Sequence, residues 1–393
     1  MRGGYGAMAR SEVVKFKEVQ VWINIWSCIY NLFILVYLKS KGLDNVQVGI
    51  VNAINIIAGT GGQLILGYLC DLKGTIKKFM IPMLIILLGI SMIVSYLGGN
   101  LLIIAIAILA FIQAPVVMLM TTWAINSSEE TRRQFGGIRA FAALGFAFTS
   151  LIAGKIFEVI GLNNMFFFYA FFMLITLMRT RSIKDIKIEK SSKKVSPFIL
   201  LKNKEFILIM IISSVYALVM NIISFSSLLM LDLGGTTAHV GLSAFIAALV
   251  EAPVYFGAQK LMRNRRKSSL LIFAMTAYTI RFIFMYFATS YIHLLLLSFT
   301  QVITYAIFEI VSKYMTSEAV PLEQQNTAYS VIGAVSSVLG GGFSIIAGML
   351  INKFTLKVIP FSAAVASIVV LIFILIYAKL YDKDEKIKYR YTA

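Results

Sequence analysis

Four ionisable side chains, Arg139, Glu251, Arg281 and Glu309, lie within long apolar stretches of this chain. A charge in hydrocarbon is costly and needs a partner or a wet cavity, so each of them is a candidate functional residue. Arg281 is roughly midway along its stretch, too deep to reach water easily. Glu251 is followed by Pro253, which loosens the local backbone bonding. A Glu251–Arg281 pair across neighbouring helices would neutralise both charges, either as a structural tie or as a gate or proton-responsive site. Glu309 is closer to the end of its segment. A second set is neutral: Asn24, Asn31, Asn55, Gln63, Gln113, Asn221 and Gln301. Amides match sugar hydroxyls or nucleobase edges without a fixed charge, and they also glue helices together. Asn24 and Asn31, seven apart, share a helix face. Trp22 reads as an interface anchor and Trp26, one turn on, as a stacking surface. A third feature is the charged knot "GYLCDLKGTIKK" at 67–78. Its Gly67 and Gly74 allow close helix approach and a tight turn, and Asp71 can pair with lysines or face a helix N-terminus.

The elements that must position these groups follow from composition. Of 393 residues, 59% are hydrophobic and 14% charged, more apolar surface than a soluble protein could hide. The apolar residues gather in runs of roughly 18 or more, long enough to cross a bilayer as helices. Twelve helices are expected, at 19–38, 46–70, 79–97, 100–124, 136–157, 163–179, 205–231, 238–261, 269–288, 291–316, 326–350 and 358–380. The first 18 residues are polar and basic without a small-residue cleavage site, so no removable signal peptide is expected. Cys28 and Cys70 fall inside or at the end of spans and imply neither a disulfide framework nor a metal site.

The net charge of +18 is unevenly placed. With twelve spans, both termini and the even-numbered loops share one side. Only Lys39, Lys41, Lys155, Lys353 and Lys357 fall on the other, Arg281 lies inside a span, and all remaining Lys and Arg residues are on the first. Positive charge stays in the cytoplasm, so both termini are expected there and the protein in the cytoplasmic membrane. The basicity reports topology, and no nucleic-acid partner is expected.

One segment divides the chain. "RTRSIKDIKIEKSSKKVSPF", from Arg179, is lysine-rich and reads as a solvated cytoplasmic linker. The expected domains are a six-helix bundle at 1–180, a linker at 181–204 and a second bundle at 205–393. The halves echo each other: "LIAGKIF" at 151–157 is matched by "IIAGMLI" at 345–351. Two parallel repeats with a substrate path between them is a common transporter plan.

The pattern G-x-L-x-D-x-x-G-x-x-K-K at 67–78 resembles the signature loop of the major facilitator superfamily, which lies between helices 2 and 3 on the cytoplasmic face. "FGGIRAFAALGFAF" at 135–148 resembles the fifth-helix entry of the lactose-permease-like branch, with its oligosaccharide, nucleoside and phenylpropionate proton symporters. "RFIFMYFATS" at 281–290 resembles that branch's ninth helix, and "EAPVYFGAQKL" at 251–261 its eighth-helix Glu-x-Pro segment. The resemblance implies an all-α membrane fold of twelve transmembrane helices in two pseudo-symmetric six-helix bundles, rocking in alternating access around a central site. Helices 1, 4, 7 and 10 line the cavity in this superfamily. On that basis Asn24, Trp26, Asn31, Gln113, Arg139, Phe146, Asn221 and Gln301 are the expected substrate-binding residues. Arg139 matches the arginine that holds the substrate, and Phe146 stands where a tryptophan stacks on the sugar. Gly67, Asp71, Gly74, Glu251, Arg281 and Glu309 are the expected coupling and gating residues. The Asp71 loop would stabilise the outward-facing state.

The sequence also departs from that branch. The tenth-helix lysine, histidine and glutamate fall on Ser298, Gln301 and Thr304, and the fourth-helix glutamate on Thr121. None of these titrates near neutral pH. His239 and His293 fall at outer helix ends. The lactose-type coupling apparatus is therefore absent, and Glu251 is the best remaining carboxylate for a coupling proton. Uniport or another ion stays open. The expectation is an uptake symporter of a small polar solute, such as a sugar, nucleoside or aromatic acid, acting as a monomer without a cofactor. A drug or metabolite exporter and a non-transporting sensor are the alternatives. No metal-spaced cluster, nucleophile elbow or phosphate loop points to an enzyme.

Overall fold

The computed structural model describes all residues except Met1, 187–196, 263–264 and 389–393. Most of the central part of the expected linker therefore lies outside the described residues. Among the described residues, twelve helices are long and apolar enough to cross a membrane. They are α1 (Glu12–Ser40), α2 (Asn45–Lys73), α3 (Lys77–Val94), α4 (Gly99–Ser127), α5 (Phe135–Ile160), α6 (Leu162–Arg181), α7 (Lys204–Asp232), α8 (Thr237–Tyr255), α9 (Lys267–Tyr286), α10 (Tyr291–Ala319), α11 (Gln325–Lys353) and α12 (Val358–Tyr381). Large apolar side chains such as Ile85, Ile86, Leu101, Ile104, Ile372 and Leu375 are exposed, as a bilayer-facing surface requires.

Local signals set the boundaries. Asp44 caps α2 by accepting from Gln47 N, and Gln47 Oε1 answers Asp44 N, a reciprocal capping box. Gly74 closes α2 in the left-handed region, φ +65°, its N–H reaching Cys70 O. Asn203 caps α7 by accepting from Phe206 N at 3.1 Å. The sequence expects α10 to be continuous, but a 3₁₀ turn interrupts it at Phe299–Val302. There the hydroxyls of Thr300 and Thr304 donate to Leu297 O and Thr300 O, 2.6 and 3.0 Å, and compete with the helix's own ladder. α7 is similarly interrupted after Ile223 and resumes at Ser226.

By internal packing the chain forms two units. Unit 1 is Met1–Ser192 with Thr236–Phe245, and unit 2 is Lys193–Gly235 with Ile246–Ala393. In unit 1, α1 packs on α5 and α6, α2 on α4, and α3 on α4 and α6. In unit 2, α7 packs on α11 and α12, and α9 on α12 and α10. The pairing of the first helix with the fifth and sixth recurs in the second half, as does that of the third with the sixth.

Unit 1 is held by an aromatic seam. Trp26, Tyr30, Phe33 and Tyr37 on α1 are buried, and Tyr30 and Tyr37 meet Phe166 edge-on at 6.3 and 5.0 Å. α2 and α4 approach so closely that only glycine fits at position 62, where a Cβ would strike the Phe111 carbonyl. Gly62→Ala is therefore expected to cost about 1–3 kcal/mol through overpacking. Thermal unfolding in detergent measures it, and an unchanged midpoint would show that the helices separate freely.

Candidate functional site

A polar constellation lies in unit 2, where the break in α10 presents Gln301 towards α8 and α9. Arg281 Nη1 donates to Gln301 Oε1. The Glu251 carboxyl lies within interaction range of the Gln301 side chain and of the Arg281 guanidinium. The sequence pairs Glu251 with Arg281; in the structure the Gln301 side chain lies near both, its Oε1 accepting a hydrogen bond from the Arg281 guanidinium. Arg281 Nε is buried without a hydrogen-bond partner, so one donor of the fork is unspent. A 3₁₀ turn within a membrane helix is tolerated where it lines a cavity or is buried in protein, and it often marks a functional hinge.

Beside this chain runs a ladder of phenols. Tyr278 OH lies 3.2 Å from Tyr216 OH and donates to Met220 Sδ at 3.7 Å. Tyr216 stacks on Phe308 with centroids 3.6 Å apart, and Tyr278 on Phe282 at 5.3 Å. Next to it a cavity of about 360 Å³ is walled by α7, α10 and α11, and Asn221, Glu309, Lys313 and Tyr329 are among its lining. Asn221 Nδ2 donates to Ala217 O at 2.8 Å, and its carboxamide lies where a Cβ on Gly340 would stand. Glu309 pairs with Lys313 at 2.5 Å.

The expected unit 1 residues are more dispersed. Tyr30 OH donates to Asn55 Oδ1 at 2.6 Å, and Tyr169 OH to Gln113 Oε1 at 2.9 Å. Gln113 is buried, and Trp26, which packs edge-on against Tyr169 at 5.4 Å, is 0% exposed. A solute would meet Trp26 only after that packing opens, so the ring offers no stacking face as it stands. Trp22, read as an anchor, stacks on Phe172 at 5.9 Å. Asn24 Nδ2 donates to Gln20 O and Asn31 Nδ2 to Ser27 Oγ, so both amides are partly spent on their own helix. Arg139 is exposed near the start of α5, Phe146 is half-buried, and the Phe146 carbonyl accepts from Cys28 Sγ. His239 Nδ1 accepts from Thr236 N at 3.0 Å at the head of α8.

The loop between α2 and α3 is held by a residue the sequence did not single out. Asp185, beyond α6, accepts from Thr75 Oγ1 at 2.6 Å and from Lys77 N at 3.1 Å, capping α3 from a distance. Lys77 Nζ donates to the carbonyls of Arg181 and Ile183 at 2.7 and 2.6 Å. Trp123 Nε1 donates to Lys184 O at 3.1 Å. Asp71, expected to do this work, is exposed instead, and Gly67 is half-buried beside Met118. Asp185→Ala should cost about 1–2 kcal/mol locally. Amide exchange across 75–79 should then speed up by roughly tenfold, whereas Asp71→Ala leaves it unchanged. Equal effects would move the anchor back to Asp71.

A model of the MFS_1 like family matches residues 27–363. Among curated relatives, the "Uncharacterized transporter YwbF" of Bacillus subtilis (strain 168) is 22% identical over 318 residues, 79% of each chain. Among solved structures, the nucleoside transporter NupG superposes with a TM-score of 0.79 at 14% identity, covering 93% of this chain and 99% of that one. An auto inhibited POT family peptide transporter superposes with a TM-score of 0.74 at 9% identity, covering 94% and 97%. At these identities the structural likenesses speak for the fold.

Proposed function

The chain belongs to the MFS_1 like family, a family of secondary transporters and not of enzymes, and from that premise we propose that it is an uptake symporter of a small polar solute. It works by alternating access in the cytoplasmic membrane with both termini in the cytoplasm. The sugar, nucleoside and aromatic-acid classes follow from the lactose-permease-like motifs. The observation that carries the reading is the Arg281–Gln301–Glu251 chain at the broken α10. Two opposite charges, one on α8 and one on α9, share one neutral side chain on α10, an arrangement whose partners can be exchanged by a solute or a proton. Glu251 is the proposed proton site, and Asn221 and Gln301 are proposed solute contacts.

Entrance counterflow in proteoliposomes with disaccharides, nucleosides and aromatic acids tests this, because it needs no ion gradient. Saturable exchange of one class supports a carrier of that class; none with any member, in folded protein, overturns the assignment to these three classes. Asp71→Ala should impair transport more than binding, and equal loss of both would remove the loop from the transport cycle.

A second reading, export of lipophilic compounds, has one observation in its favour. Unit 1 carries an apolar cavity of about 410 Å³ lined by residues including Val21, Phe141, Phe148 and Phe172. Saturation by lipophilic cations instead of polar solutes would favour it.

A further inference from the structure

The lining of the 360 Å³ cavity in unit 2 contains one cation and one anion, Lys313 and Glu309, four residues apart on α10. Nζ lies 2.5 Å from Oε1, with the two side chains 60% and 28% exposed. A pair of this spacing and openness is weak and readily re-partnered. Every other lining residue is uncharged.

The charge type of the solute decides how well it can use this site. A neutral solute leaves the pair intact and draws nothing from it. An anion on Lys313 strands Glu309, and a cation on Glu309 strands Lys313. Either case leaves the other protein charge without its partner. A zwitterion re-partners both groups at once, with no change in net charge. Because the two protein charges touch, the solute's charges must also be adjacent, as on an α-amino acid and not at the ends of a long chain. The buried Tyr216 and Phe308 bring apolar ring atoms to the cavity's lining, beside which the solute's side group can pack. Asn221 and Tyr329 add polar edges to the same cavity.

Resting on the transport reading above, we propose that this cavity binds a small zwitterionic solute of the α-amino acid class, Lys313 taking its carboxylate and Glu309 its ammonium. This class differs from the three that the sequence motifs imply.

The test is counterflow with L-leucine and L-phenylalanine, each compared with its des-amino acid and its decarboxylated amine, and with lactose and uridine as uncharged solutes. In the unmodified protein the zwitterions should exchange about tenfold better than either single-charge analogue, since each analogue leaves one protein charge unpaired. Lys313→Gln should lose the zwitterions and gain preference for the amines, and Glu309→Gln should gain preference for the acids. A purely structural pair would give no such charge-matched swap. Exchange of lactose or uridine without the zwitterions would overturn the inference and leave the transport reading standing. Zwitterion exchange with no swap in either variant would overturn the assignment of Lys313 and Glu309. No saturable exchange of any solute would overturn both readings together.

Discussion

Arg281→Leu is expected to lower saturable counterflow by about a hundredfold or more, the largest single effect among these substitutions. Removing one member of a buried charge system leaves the other uncompensated, which costs about 3–5 kcal/mol where the pair is desolvated. Here the loss strips Gln301 Oε1 of its donor and leaves the Glu251 carboxyl with the amide alone. The double variant Arg281→Leu with Glu251→Gln should recover part of the exchange, because no stranded charge remains. Counterflow and solute binding in folded protein measure both. Equal losses in the single and double variants would show that the two residues do not act as a unit.

Glu251→Gln is expected to separate exchange from accumulation. The amide keeps a hydrogen-bonding group beside Gln301 but carries no exchangeable carboxyl proton. Counterflow should stay within about threefold of the unmodified protein, whereas accumulation against a gradient driven by an imposed proton gradient should fall by about tenfold or more. Uphill accumulation that survives the substitution would place coupling on another group or another ion. Loss of both activities would make Glu251 a structural tie.

Much of the architecture was legible before any coordinates. Each span is a long, mostly apolar run, and a backbone in hydrocarbon must satisfy its hydrogen bonds within the helix, so the run itself defines the element. The superfamily loop could be read because Gly74 must turn left-handed at the end of α2 whatever surrounds it. Arg281 and Glu251 stood out because charge in an apolar run is costly.

Partnership was another matter. Thr75 and Lys77 find their acceptor in Asp185, 110 residues beyond Thr75, and nothing in the charged stretch around Asp185 marks it. Gln301 could be named as an amide in α10, but its place beside Arg281 and Glu251 depends on a 3₁₀ turn whose Thr300, like the neighbouring Thr304, is ordinary in continuous helices. Lys313 was visible four residues after Glu309, yet only the cavity wall shared with α7 and α11 made the pair a candidate solute contact. By itself the sequence determined the membrane class, the twelve spans and the family, because burial in lipid constrains each helix on its own. The tertiary structure alone decided which polar groups meet, because that depends on the rotation and register of each helix against its neighbours, a relation no single segment encodes.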